Sequence, residues 1–267
     1  KLGKTKAKRR KVNTIRYADD FVITGDSSEF LESEIRPWTE EFLAERGLQL
    51  SLEKTRIVSI DQGFDFLGWN FRRYKAKFLI KPSNKNVKAF YAKAKEVISA
   101  NKTAKQEELI SLLNPILRGW ANYHRPVVAK ATFNRLDGLI FRAIWSWSKR
   151  RHRNKSASWI RKRYFRSEGN RNWVFSTTVV KDDGKQATVA LIRLADTPIR
   201  RHIKVKGSYN PFDPADELYG EKLHQVRMLH DMHHRKQWTW LYRSQNGLCA
   251  HCGGKITRET GWHDHHI

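Results

Sequence analysis

The sequence predicts an α+β chain of several domains, and three observations carry that prediction. Strand-like alternation dominates to about residue 83, helical periodicity takes over from Asn84 to about 170, and strand character returns over 173–194 before a helix and a Gly-rich Cys-x-x-Cys. These changes of period set domain limits at 1–83, 84–170, 171–238 and 239–267. The 267 residues suffice for more than one core. The formal net charge is +25, from 52 Lys and Arg against 27 Asp and Glu, an excess that requires a polyanion, most commonly nucleic acid. Ten Trp, thirteen Phe and eight Tyr argue against a ribosomal or histone-like chain, since they supply large cores and base-stacking surfaces. No apolar run approaches the ~20 residues of a membrane span, and no signal peptide is visible, so no membrane partner is expected. Two cysteines three positions apart suggest a reducing compartment and a metal clip rather than a disulfide framework.

Residues 1–11 are a basic run, either an arm on a phosphate backbone or a solvated loop. Asp19 and Asp20 then sit between two β-branched and aromatic runs, which predicts a hairpin of Thr14–Tyr17 and Phe21–Thr24 with the acids at its turn. Carboxylates paired on such a scaffold bind divalent metal, and two-metal sites drive phosphoryl displacement. Leu31, Ile35, Trp38 and Phe42 mark one helical face, with caps at Asp26 to Ser28, a left-handed Gly47 after the end, and a kink at Pro37. Leu48, Leu50 and Leu52 alternate as a half-buried strand, with Lys54 directly after it. Gly63–Arg73 is strand-like and aromatic, and Gly68, lacking a Cβ, would let a nucleic-acid backbone approach closely.

Leu109, Leu112, Leu113, Ile116, Leu117, Trp120 and Tyr123 form an apolar helical stripe, in which Asn114-Pro115 predicts two helices meeting. A second stripe runs through Phe133, Leu136, Ile140, Ile144 and Trp147. Both are the core of a bundle. From Gly138 to Ser167 there is no Asp or Glu, against Lys149, Arg150, Arg151, Arg153, Lys155, Arg161, Lys162, Arg163 and Arg166. Solvated helices mix signs, so this stretch needs an anionic partner. Trp173–Val180 and Thr188–Leu194 flank Asp182-Asp183-Gly184 as a hairpin, Asn210–Pro214 is a rigid turn, and Glu221–Trp238 is helical, with His230, His233 and His234 as surface histidines. Cys249 and Cys252 on a Gly-rich knuckle make half of a tetrahedral Zn2+ site. His265 and His266 follow, the first thirteen residues after Cys252.

The order of these blocks carries a resemblance. Tyr17-Ala18-Asp19-Asp20-Phe21-Val22, then Arg46–Thr55, then Phe66-Leu67-Gly68-Trp69, then Asn114–Tyr123 and Trp159–Phe165 are similar to blocks of group II intron proteins, which combine reverse transcriptase and maturase. The resemblance implies the C-terminal part of a polymerase palm over 1–83 (antiparallel sheet plus helices), a helical thumb or maturase bundle over 84–170, a small α/β DNA-binding region over 171–238, and a truncated ββα-metal HNH endonuclease over 239–267. Asp19 and Asp20 would then hold catalytic Mg2+ or Mn2+. Lys54 would face the incoming triphosphate, unless it is only an exposed residue of a strand-end turn. Phe66, Leu67, Gly68 and Trp69 would form the primer grip, with Phe66 and Leu67 in the core and the turn touching substrate.

The same resemblance gives the basic surface of Arg118, Lys149, Arg150, Arg151, Arg153, Lys155, Arg161, Lys162 and Arg163 an intron RNA as its partner. It makes Cys249 and Cys252 Zn2+ ligands, His265 a ligand of the nuclease metal and His266 the general base; a zinc knuckle without nuclease chemistry is the plainer alternative. A further metal-binding Asp, in an upstream reverse transcriptase half on the same or a separate chain, is expected before Lys1, and the rest of the nuclease after Ile267. The expected activity is RNA splicing assistance, nicking of a DNA target and copying of the intron into cDNA, in a bacterial cytoplasm or an organelle. The rival is a splicing maturase whose polymerase and nuclease are vestigial.

Overall fold

The computed structural model describes residues 3–180, 184–232, 236–257 and 260–262, and the chain divides into two compact units, Lys1–Arg200 and Arg201–Ile267. In the first unit, α1 (Lys4–Arg9) precedes an antiparallel ribbon of β1 (Asn13–Tyr17) and β2 (Asp20–Thr24), paired from Asn13↔Thr24 to Tyr17↔Asp20. The expected hairpin is there, and Ala18 turns it at φ 50°. Ser27 caps the next helix by accepting from the Phe30 N–H. That helix runs as α2 (Ser28–Phe30), a π-helical turn (Leu31–Ile35) and α3 (Arg36–Ala44). Pro37, in the first turn of α3, has no N–H to donate, and the wider π turn just before it absorbs the break. Phe30 and Ile35 are buried, whereas Trp38 and Phe42 are exposed, so the predicted stripe is only half covered.

The strand expected at Leu48–Leu52 does not form. No partner edge lies beside it among the described residues, and Leu48 and Leu52 are exposed. The Leu48 N–H instead closes the end of α3 on the Leu43 carbonyl, and Ser51–Thr55 makes a turn that carries Lys54. A three-stranded antiparallel sheet follows, β3 (Phe64–Phe66), β4 (Trp69–Tyr74) and β5 (Lys77–Pro82), in the order β3-β4-β5.

Four helices then build the bundle: α4 (Asn84–Ala100), α5 (Gln106–His124), α6 (Lys130–Arg151) and α7 (Ala157–Tyr164). The second stripe points inward, with Phe133, Leu136, Ile140, Ile144 and Trp147 all buried, and so do Leu109, Leu113 and Leu117 of the first, whereas its Leu112 and Tyr123 are exposed. The helix break expected at Asn114-Pro115 is absent, since α5 runs through with Pro115 inside it. Asn114 does not cap anything. Its amide donates to the Ala190 carbonyl and accepts from the Ile192 N–H, both at 3.0 Å, tying the chain after β8 to the helix. A sheet of β6 (Phe165–Glu168), β7 (Arg171–Val180) and β8 (Gln186–Ala190) lies against α5 and α7. One core therefore extends from Val87 to Leu194, across residue 170. Asp137 anchors its far end, accepting from the Leu194 and Ala195 N–H groups at 2.8 and 2.9 Å. Burial raises the Asp137 pKa, and those two N–H groups oppose the rise.

The second unit holds α8 (Glu217–Met232) and α9 (Lys236–Ser244) around Met228, Met232 and Tyr242, followed by the Cys249–Cys252 loop. Residues 233–235, within the single helix expected over 221–238, lie outside the described residues, as do Asp182, Asp183, His265 and His266. No helix among the described residues is long and apolar enough to cross a membrane.

Candidate nucleic-acid interface

The acid-free stretch folds into the C-terminal half of α6, a loop, and α7. Ser156 caps α7 by accepting from the Trp159 N–H at 3.2 Å. Lys149, Arg150 and Arg151 end α6, and Arg161, Lys162 and Arg163 end α7, where positive charge also complements the helix dipole. That local gain explains part of the pattern, but not Arg153 and Lys155 in the loop. All these side chains, and Arg118 on α5, are exposed, and none stands in an ion pair among the described residues. Arg151 differs from its neighbours. Its Nη1 donates to the Lys102 and Ala104 carbonyls at 2.8 and 2.9 Å, and its guanidinium lies 4.6 Å from the Trp147 ring centroid. It braces α6 against the loop between α4 and α5, a task its neighbours do not share.

At the ribbon tip, Asp19 is in the turn and Asp20 opens β2, both exposed. Arg16 Nε donates to the Ala18 carbonyl at 2.8 Å and stiffens the turn. The ribbon is tethered by Arg10 to Asp26 at 2.9 Å. No third acidic, His or Cys side chain completes a metal cluster anywhere among the described residues. Adjacent exposed carboxylates do suit a hard divalent cation, which takes oxygen ligands. Lys54 is exposed on its turn and makes no contact with the Asp pair among the described residues.

The Phe66–Trp69 hairpin tip is engaged by the helices. Leu67 and Gly68 have φ 49° and 76°, as a two-residue hairpin turn demands. Tyr123 OH donates to the Leu67 carbonyl at 2.6 Å, and the Ser83 N–H to the Gly68 carbonyl at 3.0 Å. A Cβ on Gly68 would sit 3.0 Å from Asn86 Nδ2. The Asn86 amide therefore occupies the side of Gly68 that a Cβ would fill. Phe66 and Leu67 are half-buried rather than core.

Behind this tip lies a polar network that sequence reasoning missed. Trp69 Nε1 donates to His124 Nδ1 at 3.0 Å, His124 Nε2 meets Asn86 Oδ1 at 3.0 Å, and Trp120 Nε1 donates to the same oxygen at 2.7 Å. An accepting Nδ1 leaves the imidazole neutral with its hydrogen on Nε2. Burial lowers the His124 pKa to about 4. The one sequence signal was position: His124 falls four residues after Trp120, on the buried stripe.

In the second unit, Cys249 and Cys252 sit on a tight loop. The Gly253 N–H donates to the Cys249 carbonyl and the Cys249 N–H to the Gly254 carbonyl, both at 2.8 Å. N–H groups of Cys252 and His251, and the Cys252 thiol, hold the Cys249 thiol below its ordinary pKa. This pair fits half of a tetrahedral zinc set.

Comparison with known proteins agrees with this layout. Residues 87–165 match "Group II intron, maturase-specific domain", and residues 2–71 match "Reverse transcriptase (RNA-dependent DNA polymerase)". Two curated relatives are both named "Maturase-like protein 1". That of Euglena longa is 33% identical over 87 residues, 32% of this chain and 19% of the relative; that of Euglena gracilis is 31% identical over 83 residues, 30% of this chain and 18% of the relative. The chain thus spans less than a fifth of the length of either. Residues 2–71 are thus similar to reverse-transcriptase sequence, and residues 87–165 to a group II intron maturase-specific domain.

Proposed function

We propose that this chain is part of a group II intron reverse transcriptase/maturase that binds its intron RNA and assists splicing. The observation that carries this is the exposed, acid-free surface of α6 and α7, which lies inside the match to the maturase-specific domain. Duplex RNA is held through phosphates and 2′-hydroxyls rather than base edges, for which an array of Arg and Lys is suited. Arg118, Lys149, Arg150, Arg153, Lys155, Arg161, Lys162 and Arg163 hold no carbonyl or carboxylate with their side chains among the described residues. Lys155, Arg161 and Arg163 also lie against aromatic rings.

In the complete protein the same reading includes copying of intron RNA into cDNA and nicking of a DNA target. Asp19 and Asp20 would hold Mg2+ or Mn2+, which supplies charge neutralisation for phosphoryl transfer. The chain's own part is to present the two carboxylates together on a braced turn. Cys249 and Cys252 would hold Zn2+ with two further ligands, in a knuckle that supports an HNH nuclease in which His265 binds metal and His266 acts as base. Phe66 to Trp69 would position the primer through the faces of the hairpin left free by its docked tip.

One substitution separates polymerisation from RNA binding. In a protein that includes the upstream reverse transcriptase half, Asp19→Ala is expected to abolish primer extension, while intron RNA affinity and splicing assistance change less than about twofold. Loss of RNA affinity together with extension would make Asp19 structural and remove it from the polymerase site.

A further inference from the structure

The same maturase-specific segment carries a second surface whose chemistry is not that of the basic face. Phe141 and Trp145 on α6, Phe165 opening β6 and Trp173 on β7 converge. Trp173 lies 5.5 Å from Trp145 and 6.1 Å from Phe141 between ring centroids, at steep interplanar angles of 64° and 76°. Phe165 is buried beneath them, 5.9 Å from Trp173. Phe141, Trp145 and Trp173 wall an open cleft of about 410 Å³, and Phe141 and Trp173 remain 37% and 39% exposed. Three large rings left open to water at one spot cost free energy that a monomer's core would ordinarily recover.

Two features show that the arrangement is held in place rather than incidental. Trp173 has φ 65°, a left-handed backbone that a bulky residue adopts only when its surroundings force it. The β6–β7 pairing slips there, between Arg166↔Val174 and Glu168↔Arg171. Val174 and Phe175, next along β7 in regular pairing, are both buried, while the bulged Trp173 packs its ring against Phe141 and Trp145. One turn before Phe141 on the same helical face is Gly138, where an added Cβ would meet nothing within 4 Å. A mid-helix glycine weakens its helix, and no packing within the described residues asks for one. It does leave bare backbone beside the rings.

The charges around the cleft fit one kind of occupant. Arg161 lies 4.8 Å from the Trp173 ring centroid, and Lys162 and Arg166 line the adjoining recess with it. Arg166 is pinned by its bond to Thr178 Oγ1 at 2.6 Å. We infer that this cleft is a stacking platform for an unpaired RNA base, with Arg161 and Lys162 receiving the flanking phosphates. A base offers a π-face to the rings while its backbone meets the cations, the combination by which proteins hold single strands. A hydrophobic protein partner would leave the cations without counter-charge. The inference rests on the maturase reading only for the identity of the polyanion as RNA. It adds that the intron is gripped at an extruded base as well as along duplex phosphates.

The test compares two RNAs: a short oligouridine and a fully paired duplex of the same length. Trp173→Ala is expected to lower affinity for the oligouridine by roughly ten- to a hundredfold and leave duplex affinity within twofold, whereas Trp173→Phe keeps most of the binding. An oligouridine carrying 4-thiouridine, crosslinked to the unaltered chain, should join to the peptide holding Trp173 or to that holding Phe141 and Trp145. Equal losses on both RNAs with Trp173→Ala, or crosslinks confined to other peptides, would overturn the platform. Platform crosslinks in a chain that shows no preference for intron RNA would uphold the platform and sink the maturase reading instead.

Discussion

Replacing Arg150 and Arg153 by Glu together is expected to weaken intron RNA binding roughly a hundredfold at moderate salt. It should also make the dependence of affinity on salt shallower by about 2, because each lost phosphate contact removes about 1 from that slope. Both side chains are exposed and hold no protein acceptor among the described residues, so the fold should survive. Equilibrium binding across a salt series, with circular dichroism as the check on folding, reads the result. Arg151 has to be left out of such a set. Its guanidinium holds two carbonyls and covers Trp147, so reversing it would destabilise the bundle and counterfeit an RNA effect. Unchanged affinity in the folded double variant would remove this face from the interface.

The second large effect is expected at His124. Removing its ring strands Trp69 Nε1 without its acceptor, takes one bond from Asn86 and opens a void in a fully buried spot. His124→Ala should cost about 3 kcal/mol and loosen the β3–β4 hairpin from α4 and α5. The wild-type network is also pH-sensitive in a defined direction. The folded state keeps the imidazole neutral down to about pH 4, while the unfolded chain protonates near its ordinary value of 6.5. The stabilisation is therefore fully present above pH 6.5. It declines as pH falls and is exhausted below about 4, a total on the order of 3 kcal/mol. Denaturant unfolding of wild type and His124→Ala over pH 4–8 should show this slope in the first and its loss in the second. Parallel curves would mean that His124 is not buried as a neutral acceptor.

Much of this architecture was legible in the sequence where one residue type sufficed for a local task. The hairpin that carries Asp19 and Asp20, the cap within Asp26 to Ser28 and most of the two helical stripes needed no distant partner to be read. What escaped notice depends on residues far apart in the chain. Asn114-Pro115 looks like a helix start, but the Asn114 amide is spent on residues 190 and 192, and the helix continues through Pro115. Leu48, Leu50 and Leu52 alternate as a strand should, yet alternation without a neighbouring edge makes no ladder. Arg151 is indistinguishable from Arg150 until the Lys102 and Ala104 carbonyls are seen beside it. The platform joins residues 141, 145, 165 and 173 through a bulge and a left-handed Trp, neither of which has a signature in composition. At Gly68 the space a side chain would fill is taken by the Asn86 amide, from a helix sixteen or more residues away, which no local pattern announces.

The residues proposed for polymerase and nuclease chemistry are a different matter, because each stands in an incomplete ligand set among the described residues. Asp19 and Asp20 have no third ligand, and Cys249 and Cys252 no second pair, among the described residues. The proposed RNA-binding surface of α6 and α7 lies wholly among the described residues, and it is where the functional claim is most exposed to test.

The most direct measurement is the affinity of residues 1–267 for a folded group II intron RNA and for an unrelated structured RNA of equal length, at matched salt over a range of concentrations. The maturase account predicts steep salt dependence for both and at least about tenfold tighter binding to the intron at every salt, since shape recognition adds to phosphate contacts that any RNA can make. Equal affinity for the two RNAs across the range would contradict it and reduce the basic face to a nonspecific polyanion surface.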